Sequence, residues 1–502
     1  MILYKSPLIV FLGCLLLASC GQNKNKEQGQ SQVQTQEQKQ RPNIVLILAD
    51  DLGYGCTGTY GAQPELLTTP AINRLAKEGR KFTRAYTPSS VCSPTRYGLL
   101  TGQYEWRTGR TNDVSHSDSP LTIETDRPTI ASRLKEIGYS TAAIGKWHLG
   151  YQNDSTDYLK PLSPGPLDIG FDYHWGIPNN HGDIVGSWIE NDRVVGLKSS
   201  QEDIPVNQRR PEKNWQGDDM LDIPAPFRVD TTVMNTLNQK LSTWIGDQSK
   251  DKPFFLYYAM PAIHVPMTPS RGFSGVSKAG VMGDWIMEMD ASVDTVLQAL
   301  HRHGFSENTL VVFTSDNGAH PSRAHDAVNA GLKLNGPFRG TKLTIWDGGF
   351  RVPYIVRWPG KVAAGSSSDE LVNLVDIYAS VTELLDIELA TPNIEAPDSF
   401  SFLAAWMNGE SKESRGPMVY TSYEGVVAIQ HENWKFIEGK PGPPLRFTDK
   451  KRMKVEAQEM LFDLSTDIAE QNNLVNSNSE QVQKMKALLA ELRQQGYSRK
   501  VF

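Results

Sequence analysis

The chain has 502 residues, of which 39% are hydrophobic and 22% are charged. This composition is typical of a globular protein with one large core and room for a smaller domain. A formal net charge of −6 and the lack of a long basic run argue against a nucleic-acid-binding protein. If such an acidic chain binds an anion, it has to concentrate positive charge locally, within a pocket.

The first 20 residues resemble the export signal of a bacterial lipoprotein. Lys5 precedes the apolar run PLIVFLGCLLLA (7–18), which is too short to span a membrane. The run ends in LASC, and the resemblance implies that Cys20 becomes the mature N-terminus and carries a lipid. An ordinary signal peptide that is cut elsewhere is the alternative. We expect an exported protein that meets a membrane through its lipid only, on the periplasmic face rather than the cell surface.

The segment after the predicted signal and the number of cysteines predict a tether and limit the possible disulfides and metal sites. Residues 21–41 are rich in Gln and almost free of apolar side chains, which predicts a disordered tether. With Cys14 in the signal and Cys20 lipidated, only Cys56 and Cys92 remain for the folded part. An oxidising compartment would permit a disulfide between these two, whereas a four-thiolate zinc site is excluded by the count.

Apolar strands and amphipathic helices alternate along most of the chain. The predicted elements are, in order, a strand at 43–51, helices at 69–79 and 127–138, a strand at 139–145, a helix at 231–248, a strand at 253–260, a helix at 282–304 and a strand at 309–318. This alternation predicts an α/β fold with a large, mainly parallel or mixed sheet flanked by helices. We assign it to a large α/β domain of residues 42–380.

The pattern changes after about residue 380. The segments 426–439 and 459–467 are typical of antiparallel strands, and 480–496 is typical of an amphipathic helix. We therefore predict a smaller α+β subdomain at 381–502, with an antiparallel sheet and a terminal helix.

Polar residues follow two of the predicted strands. Asp50 and Asp51 end the first strand, and Asp316 and Asn317 follow the strand that starts at residue 309. Ligands of parallel sheets bind beyond the carboxyl ends of the strands, so these side chains are expected to meet. Three carboxylates and an amide oxygen suit Ca²⁺ better than Mg²⁺ and suit zinc poorly. Either acidic pair alone is equally consistent with a structural turn.

Five basic residues are candidates for binding an anion. They are Arg96, Lys146, His148, His264 and Lys342. Alone, each is more typical of a satisfied structural residue or a solvated side chain. Beside an oxygen-only metal site in an acidic chain, they indicate a cationic clamp around an anionic group.

Two segments carry a close family resemblance. SVCSPTRYGLLTG (90–102) and GYSTAAIGKWH (138–148) resemble the two signatures of the type I, formylglycine-dependent sulfatases, which have a fold related to alkaline phosphatase. The smaller matches are DD (50–51), HVP (264–266), SDNG (315–318), RGTK (339–342) and DGGFRVP (347–353). The resemblance extends from about residue 42 to 475 and implies an enzyme that hydrolyses sulfuric esters.

The resemblance also implies the cofactors. A maturation enzyme that reads Cys-x-Pro-x-Arg would convert Cys92 to formylglycine, whose hydrate is the nucleophile. One Ca²⁺ would be held by Asp50, Asp51, residue 92, Asp316 and Asn317.

The same resemblance implies catalytic roles for the basic residues. Arg96 and Lys146 would hold the hydrate, and Lys146 and Lys342 would neutralise the sulfate oxygens. His264, with Lys342, would give a proton to the departing alcohol, and His148 would take a proton from the second hydroxyl of the hydrate.

Two polar loops are candidates for substrate binding. In the loop at 164–183 the candidates are His174, Asn180, His181 and Asp183, and near the second metal-binding turn they are His320, Arg323 and His325. Such side chains can hydrogen-bond sugar hydroxyls, although a polar surface loop would look the same. We expect an exo-acting enzyme on a sulfated glycan, with sulfated galactose or N-acetylgalactosamine as the sugar.

Two other functions remain open at this point. One is a phosphate or phosphonate ester hydrolase of the same superfamily, and the other is a catalytically silent, glycan-binding lipoprotein. Cys56 and Asp347 depart from or vary within the family pattern, and we predict structural roles for both.

Overall fold

A computed structural model describes residues 41–110, 114–407, 409, 415–439 and 458–499. The predicted signal, the predicted lipidation site Cys20 and residues 21–40 of the predicted tether lie outside these residues. Within the described ranges, no helix combines the length and the apolar character that crossing a bilayer requires.

Ten strands form the central sheet. They are β1 (Asn43–Ala49), β2 (Arg80–Tyr86), β3 (Ser140–Lys146), β4 (Tyr173–Ile177), β5 (Ile189–Glu190), β6 (Arg193–Val194), β7 (Phe254–Ala259), β8 (Thr309–Ser315), β9 (Tyr354–Arg357) and β10 (Ser366–Asn373). Their order is β10-β2-β9-β8-β1-β7-β3-β4-β5-β6. The five strands from β8 to β4 are mutually parallel, while β9 and the β5–β6 hairpin run antiparallel to their neighbours. The predicted mixed α/β sheet is confirmed.

Helices cover both faces of this sheet. They are α1 (Pro70–Glu78), α2 (Cys92–Thr101), α3 (Ile130–Glu136), α4 (Val233–Gly246), α5 (Gly280–Arg302), α6 (His325–Asn329), α7 (Asp376–Leu384) and α8 (Leu403–Trp406). Strand β1 shows the layering, because Leu46 and Leu48 face the core under α2, α3 and α7, whereas Val45 and Ile47 face the core under α1, α4 and α5. A strand buried on both faces loses the polar alternation of a surface strand, which explains its continuous apolar run.

The smaller sheet is antiparallel and lies near the C-terminus. Its strands are β11 (Met418–Thr421), β12 (Val427–His431), β13 (Trp434–Ile437) and β14 (Met460–Asp463), followed by α9 (Ser479–Gln495). Val482 and Leu489 of α9 pack on one face of the sheet, and the other face packs against Trp346 and Phe350. The predicted antiparallel sheet and terminal helix are confirmed. The predicted division after residue 380 falls within α7.

A buried ion cluster joins the two sheets. Lys435 Nζ lies 2.9 Å from an oxygen of Asp347 and 2.6 Å from one of Glu470, and all three side chains are at most 1% exposed. The backbone N–H of Asp347 also donates to Glu470. Asp347 therefore contributes to packing between the sheets, in agreement with the structural role predicted for it.

Replacing Lys435 by methionine is expected to destabilise the protein by about 3–5 kcal/mol, because two buried carboxylates would lose the cation that they share. The free energy of unfolding in urea measures the change. Lys486→Met is the matched control: Lys486 pairs with Glu459 at 2.7 Å, but both side chains are more than a third exposed. It should cost no more than about 1 kcal/mol. Equal losses in the two variants would contradict the role assigned to the cluster.

Candidate active site

The carboxyl ends of the parallel strands bring the predicted site residues to one edge of the sheet. Asp50 follows β1, Lys146 ends β3, and Asp316 follows β8, with all three side chains buried. His264 follows β7, which pairs directly with β1. Neighbouring parallel strands end at the same edge, so residues far apart in sequence become neighbours in space.

The chain turns sharply at Asp51, which has a φ of 61°. Asp tolerates this left-handed conformation better than most residues. Adjacent residues of a regular strand point to opposite faces, so Asp50 and Asp51 can reach one site only because the strand ends here. The backbone N–H of Asp51 donates to Asp316 Oδ1 at 3.1 Å. Asn317 Nδ2 donates to Asp51 Oδ1 at 2.8 Å. The four predicted metal-binding residues therefore form one connected cluster.

The donor set of this cluster fits a hard divalent cation. Asp50 Oδ1 and Asn317 Oδ1 are buried and accept no hydrogen bond within the described part of the chain. Ligand atoms of Asp50, Cys92 and Asp316 all lie within 4.8 Å of one another. Buried oxygens without a donor are costly unless a cation satisfies them. Carboxylate and amide oxygens at this spacing are the ligands that Ca²⁺ prefers.

Cys92 is the first residue of α2 and is 2% exposed. Cys56 and Cys92 are both free thiols, so the alternative of a disulfide between them is wrong. Burial raises the pKa of the Cys92 thiol, which makes the unmodified side chain a weak nucleophile. Cys56 is fully buried and lies 3.4 Å from the Leu334 carbonyl, as expected for a structural residue.

Three buried cations each contact one of the three carboxylates. Arg96 Nη2 lies 2.7 Å from Asp316, Lys146 Nζ lies 2.6 Å from Asp50, and Lys342 Nζ lies 2.5 Å from Asp51. The charges of these six side chains cancel. A divalent cation among them would therefore leave the site with a net positive charge, which suits an anionic substrate.

Lys342 and Arg96 also connect the carboxylates to the rest of the site. Lys342 Nζ lies 4.0 Å from Cys92 Sγ, and Arg96 Nη1 donates to the Lys146 carbonyl at 2.9 Å. Arg96 stands one helical turn after Cys92 on α2. The helix thus presents the thiol and the guanidinium to the same cluster.

Two imidazoles complete the polar surface. His264 Nδ1 donates to the Val265 carbonyl at 2.6 Å, which leaves Nε2 on the side of Asp51, 3.9 Å from Oδ2. Burial and Lys342 lower the pKa of His264 to about 3. Burial and Lys146 also lower the pKa of His148, whose Nδ1 makes no hydrogen bond within the described residues. The lowered pKa values favour the neutral form of both rings.

A cavity of about 600 Å³ opens onto these groups, a size typical of ligand-binding sites. Asp51, Cys92, His148, His264 and Lys342 line its reactive end. The substrate-binding candidates that line it are Asn180, Asp183, His320 and Arg323.

Three other candidates do not line this cavity, which corrects the prediction for them. His174 is buried in β4, where its ring packs near Trp147 and Nδ1 contacts the Ala143 carbonyl at 3.0 Å. The buried His181 ring packs near Trp285, and Nε2 contacts the Pro266 carbonyl at 2.6 Å. His325 is exposed at the start of α6. Two of these rings are held by core contacts, and the third is exposed and not among the residues that line the cavity.

Sequence reasoning missed several residues of the cavity wall. They include Ser115, His116, Asn179, Trp215 and Tyr423. Tyr423 reaches the site from the small sheet, where its backbone N–H donates to the Leu343 carbonyl at 3.2 Å. These residues belong to loops without a periodic pattern, so only the tertiary structure reveals them. Trp215 could have been identified as a candidate from the sequence, since a tryptophan within a polar loop is unusual.

Comparisons with known proteins show the family to which the chain belongs. The sulfatase family model matches residues 42–387, and a model of the C-terminal part of N-sulphoglucosamine sulphohydrolase matches residues 341–495. The N-acetylgalactosamine-6-O-sulfatase of Bacteroides thetaiotaomicron is 34% identical over 485 residues, which cover 90% of this chain and 93% of the relative. Human N-acetylgalactosamine-6-sulfatase is 33% identical over 397 residues, covering 77% of this chain and 69% of the relative.

One solved structure is similar to this chain in both fold and sequence. It comes from work on the metabolism of multiple glycosaminoglycans by Bacteroides thetaiotaomicron. It is similar to this chain with a TM-score of 0.81 and 32% identity, covering 91% of this chain and all of that structure. The family model spans more than half of the chain, and the resemblance read from the two signatures is confirmed. The protein is an enzyme with an alkaline-phosphatase-like fold, and it belongs to the sulfatase family.

Proposed function

We propose that this sulfatase removes the 6-O-sulfate from N-acetylgalactosamine or galactose at the end of a glycan chain. The observation that carries the proposal is the 34% identity to an N-acetylgalactosamine-6-O-sulfatase, which extends over 93% of that relative. The cavity supports a sugar substrate, because Asn180, Asp183, His320 and Arg323 offer donors and acceptors for hydroxyl groups. Cys92 and His148 are at most 3% exposed, so a chain end reaches them more easily than a chain interior does.

The proposal includes oxidation of Cys92 to formylglycine by a maturation enzyme. The Cys-x-Pro-x-Arg segment and the weak nucleophilicity of the buried thiol support this modification. As a hydrate, formylglycine supplies one hydroxyl that attacks sulfur and a second whose deprotonation lets the aldehyde re-form and release sulfate. Direct attack by a thiol would instead leave a stable sulfur–sulfur adduct with no such route to release.

The proposal also includes one Ca²⁺. Asp50, Asp51, Asp316 and Asn317 would hold it together with an oxygen of residue 92, and the buried Asp50 Oδ1 and Asn317 Oδ1 support this assignment. When bound, the ion would polarise a sulfate oxygen and the oxygen of residue 92.

The basic side chains bind and orient the substrate. Lys342 and Lys146 stand beside residue 92 and stabilise negative charge on the sulfate oxygens. Arg96 is held by Asp316 and the Lys146 carbonyl, so it positions the hydroxyls of residue 92 without moving.

The two histidines move the protons. The buried Nδ1 of His148 makes no hydrogen bond within the described residues, so it takes the proton of the second hydroxyl. His264 Nε2 gives a proton to the departing alcohol. Because His264 is otherwise neutral, the bound sulfate anion has to raise its pKa before it can donate.

The proposal places the enzyme outside the cytoplasm, anchored by a lipid on Cys20 at a periplasmic membrane face. The LASC segment before the Gln-rich residues 21–41 supports this placement. It also agrees with a substrate that comes from extracellular glycans.

A substrate panel tests the sugar and the ester together. Protein whose residue 92 is confirmed as modified by mass should hydrolyse 6-O-sulfated N-acetylgalactosamine with a kcat/KM about 100-fold above that for the 4-O-sulfated isomer, since a wrongly placed sulfate cannot reach residue 92. Matched phosphate esters should be at least about tenfold slower, because the site is built for a monoanion.

Two results would contradict the proposal. Faster turnover of the phosphate esters would favour the alternative of a phosphate or phosphonate hydrolase. Binding of the sulfated sugars without turnover of any ester would favour a silent glycan-binding protein.

A further inference from the structure

One large aromatic side chain of the cavity wall has no role in the reaction. Trp215 lines the cavity and is 44% exposed, whereas most of the catalytic groups are nearly fully buried. It is also the only tryptophan among the described residues that line the cavity. An indole offers a large apolar surface with a polar N–H, and tryptophans are enriched where a protein contacts a ligand or partner.

The loop that carries Trp215 is a hydrogen-bonded turn. Lys213 and Asp219 pair across its base, with Lys213 Nζ 2.7 Å from Asp219 Oδ1. Asn214 Oδ1 accepts hydrogen bonds from the backbone N–H groups of Gln216 and Asp218, both at 2.9 Å. These bonds favour the turn and place Trp215 at the cavity wall.

The opposite wall makes room for the indole. A Cβ at Gly182 would lie 2.7 Å from Trp215 Cδ1 and 2.5 Å from Pro266 Cδ. Gly182 is not among the glycines with positive φ, so its backbone does not require glycine. The missing side chain instead lets Trp215 lie directly against the segment that carries Asn180 and Asp183, two proposed sugar contacts.

We propose that Trp215 is a stacking platform for a second sugar ring, the one linked to the terminal sulfated sugar. This inference rests on the proposed function, in which the sulfated end occupies the buried part of the cavity. The next ring then lies towards the exposed rim, where Trp215 stands. The apolar face of a pyranose packs on an indole, which combines a large apolar surface with rigidity. The enzyme therefore prefers an oligosaccharide to the free sulfated monosaccharide.

The test compares wild type, Trp215→Ala and Trp215→Phe on two substrates, 6-O-sulfated N-acetylgalactosamine and a disaccharide that carries the same sugar at its non-reducing end. Trp215→Ala should lower kcat/KM for the disaccharide about tenfold, mainly through KM, and leave the monosaccharide unchanged within about twofold. Trp215→Phe keeps an aromatic face and should retain most of the activity. Val206→Ala, which truncates an apolar side chain that is 80% exposed and not among the residues lining the cavity, should change neither substrate.

The outcomes separate the two proposals. If wild type hydrolyses both saccharides and the ratio of kcat/KM between them is the same in Trp215→Ala, the stacking role is overturned. The proposed function then remains intact. Wild-type activity on neither saccharide would overturn both. Equal losses on both substrates in Trp215→Ala would show that the residue shapes the site as a whole, which also overturns the stacking role.

Discussion

Replacing Cys92 by alanine is expected to lower kcat on sulfate esters by about 10⁴-fold or more, the scale seen when a nucleophile is removed from an enzyme. The side chain is small and stands at the start of α2, so the fold should persist. Initial rates measure the loss, and thermal unfolding confirms that the variant is folded. A mass spectrum of the peptide containing residue 92 in the wild type should show that sulfur has been replaced by oxygen.

Cys56→Ala is the matched control for this experiment. Both thiols are buried and free, but Cys56 contacts the Leu334 carbonyl and does not line the cavity. Its replacement should cost about 1–2 kcal/mol of stability and leave kcat nearly unchanged. Full turnover by Cys92→Ala, or by wild type that retains an unmodified thiol at residue 92, would contradict the proposed nucleophile.

Removing calcium is expected to abolish activity and lower the unfolding temperature. Asp50 Oδ1 and Asn317 Oδ1 are buried and accept no hydrogen bond within the described residues, and a bound cation would satisfy both oxygens. Calcium at 100 times its Kd should therefore raise the free energy of unfolding by about 2.7 kcal/mol over the chelated protein. Calorimetry of protein treated with a calcium chelator, before and after calcium is restored, measures the effect.

A substitution within the cluster makes this expectation specific. Asp50→Asn keeps the shape of the side chain but removes one charge, and we expect calcium affinity to fall about 100-fold or more. Asp251→Asn, at an exposed loop position, should leave the affinity unchanged. Unchanged activity and unfolding temperature after chelation, with no ion detected in the protein, would contradict a calcium site.

The elements that could be predicted from the sequence are those whose burial is uniform. Strand β1 is buried along its whole length, so its apolar run was read correctly, with an end two residues earlier than predicted. Strand β2 was missed because RKFTRAY keeps polar side chains in half-buried positions. Strand β10 was missed for the same reason, since SSSDELVN has five residues that are only partly buried or exposed at its start and centre. Both strands depend on their neighbours for pairing, and local sequence does not contain that information.

The catalytic groups were predictable because their chemistry depends on residue type and on short spacings. Cys92 and Arg96 lie one helical turn apart, and Asp50 and Asp51 are adjacent, so local sequence preserves these relations. The substrate contacts were harder to predict from the sequence. His174 and His181 have the right chemistry for binding a sugar, but core packing holds both rings away from the cavity. Residue type alone does not reveal which way a side chain points.

The sequence by itself determined the central strands β1, β3, β7 and β8 with several flanking helices, the family, and the residues that make up the reactive cluster. These features depend on hydrophobic periodicity and on short motifs, which are local properties of the chain. Only the tertiary structure decided that Asp50, Lys146 and Asp316 meet at one sheet edge and that Trp215 and Tyr423 form part of the cavity wall. Contacts between residues hundreds of positions apart arise from the pairing of strands and the packing of loops, and no local pattern encodes them.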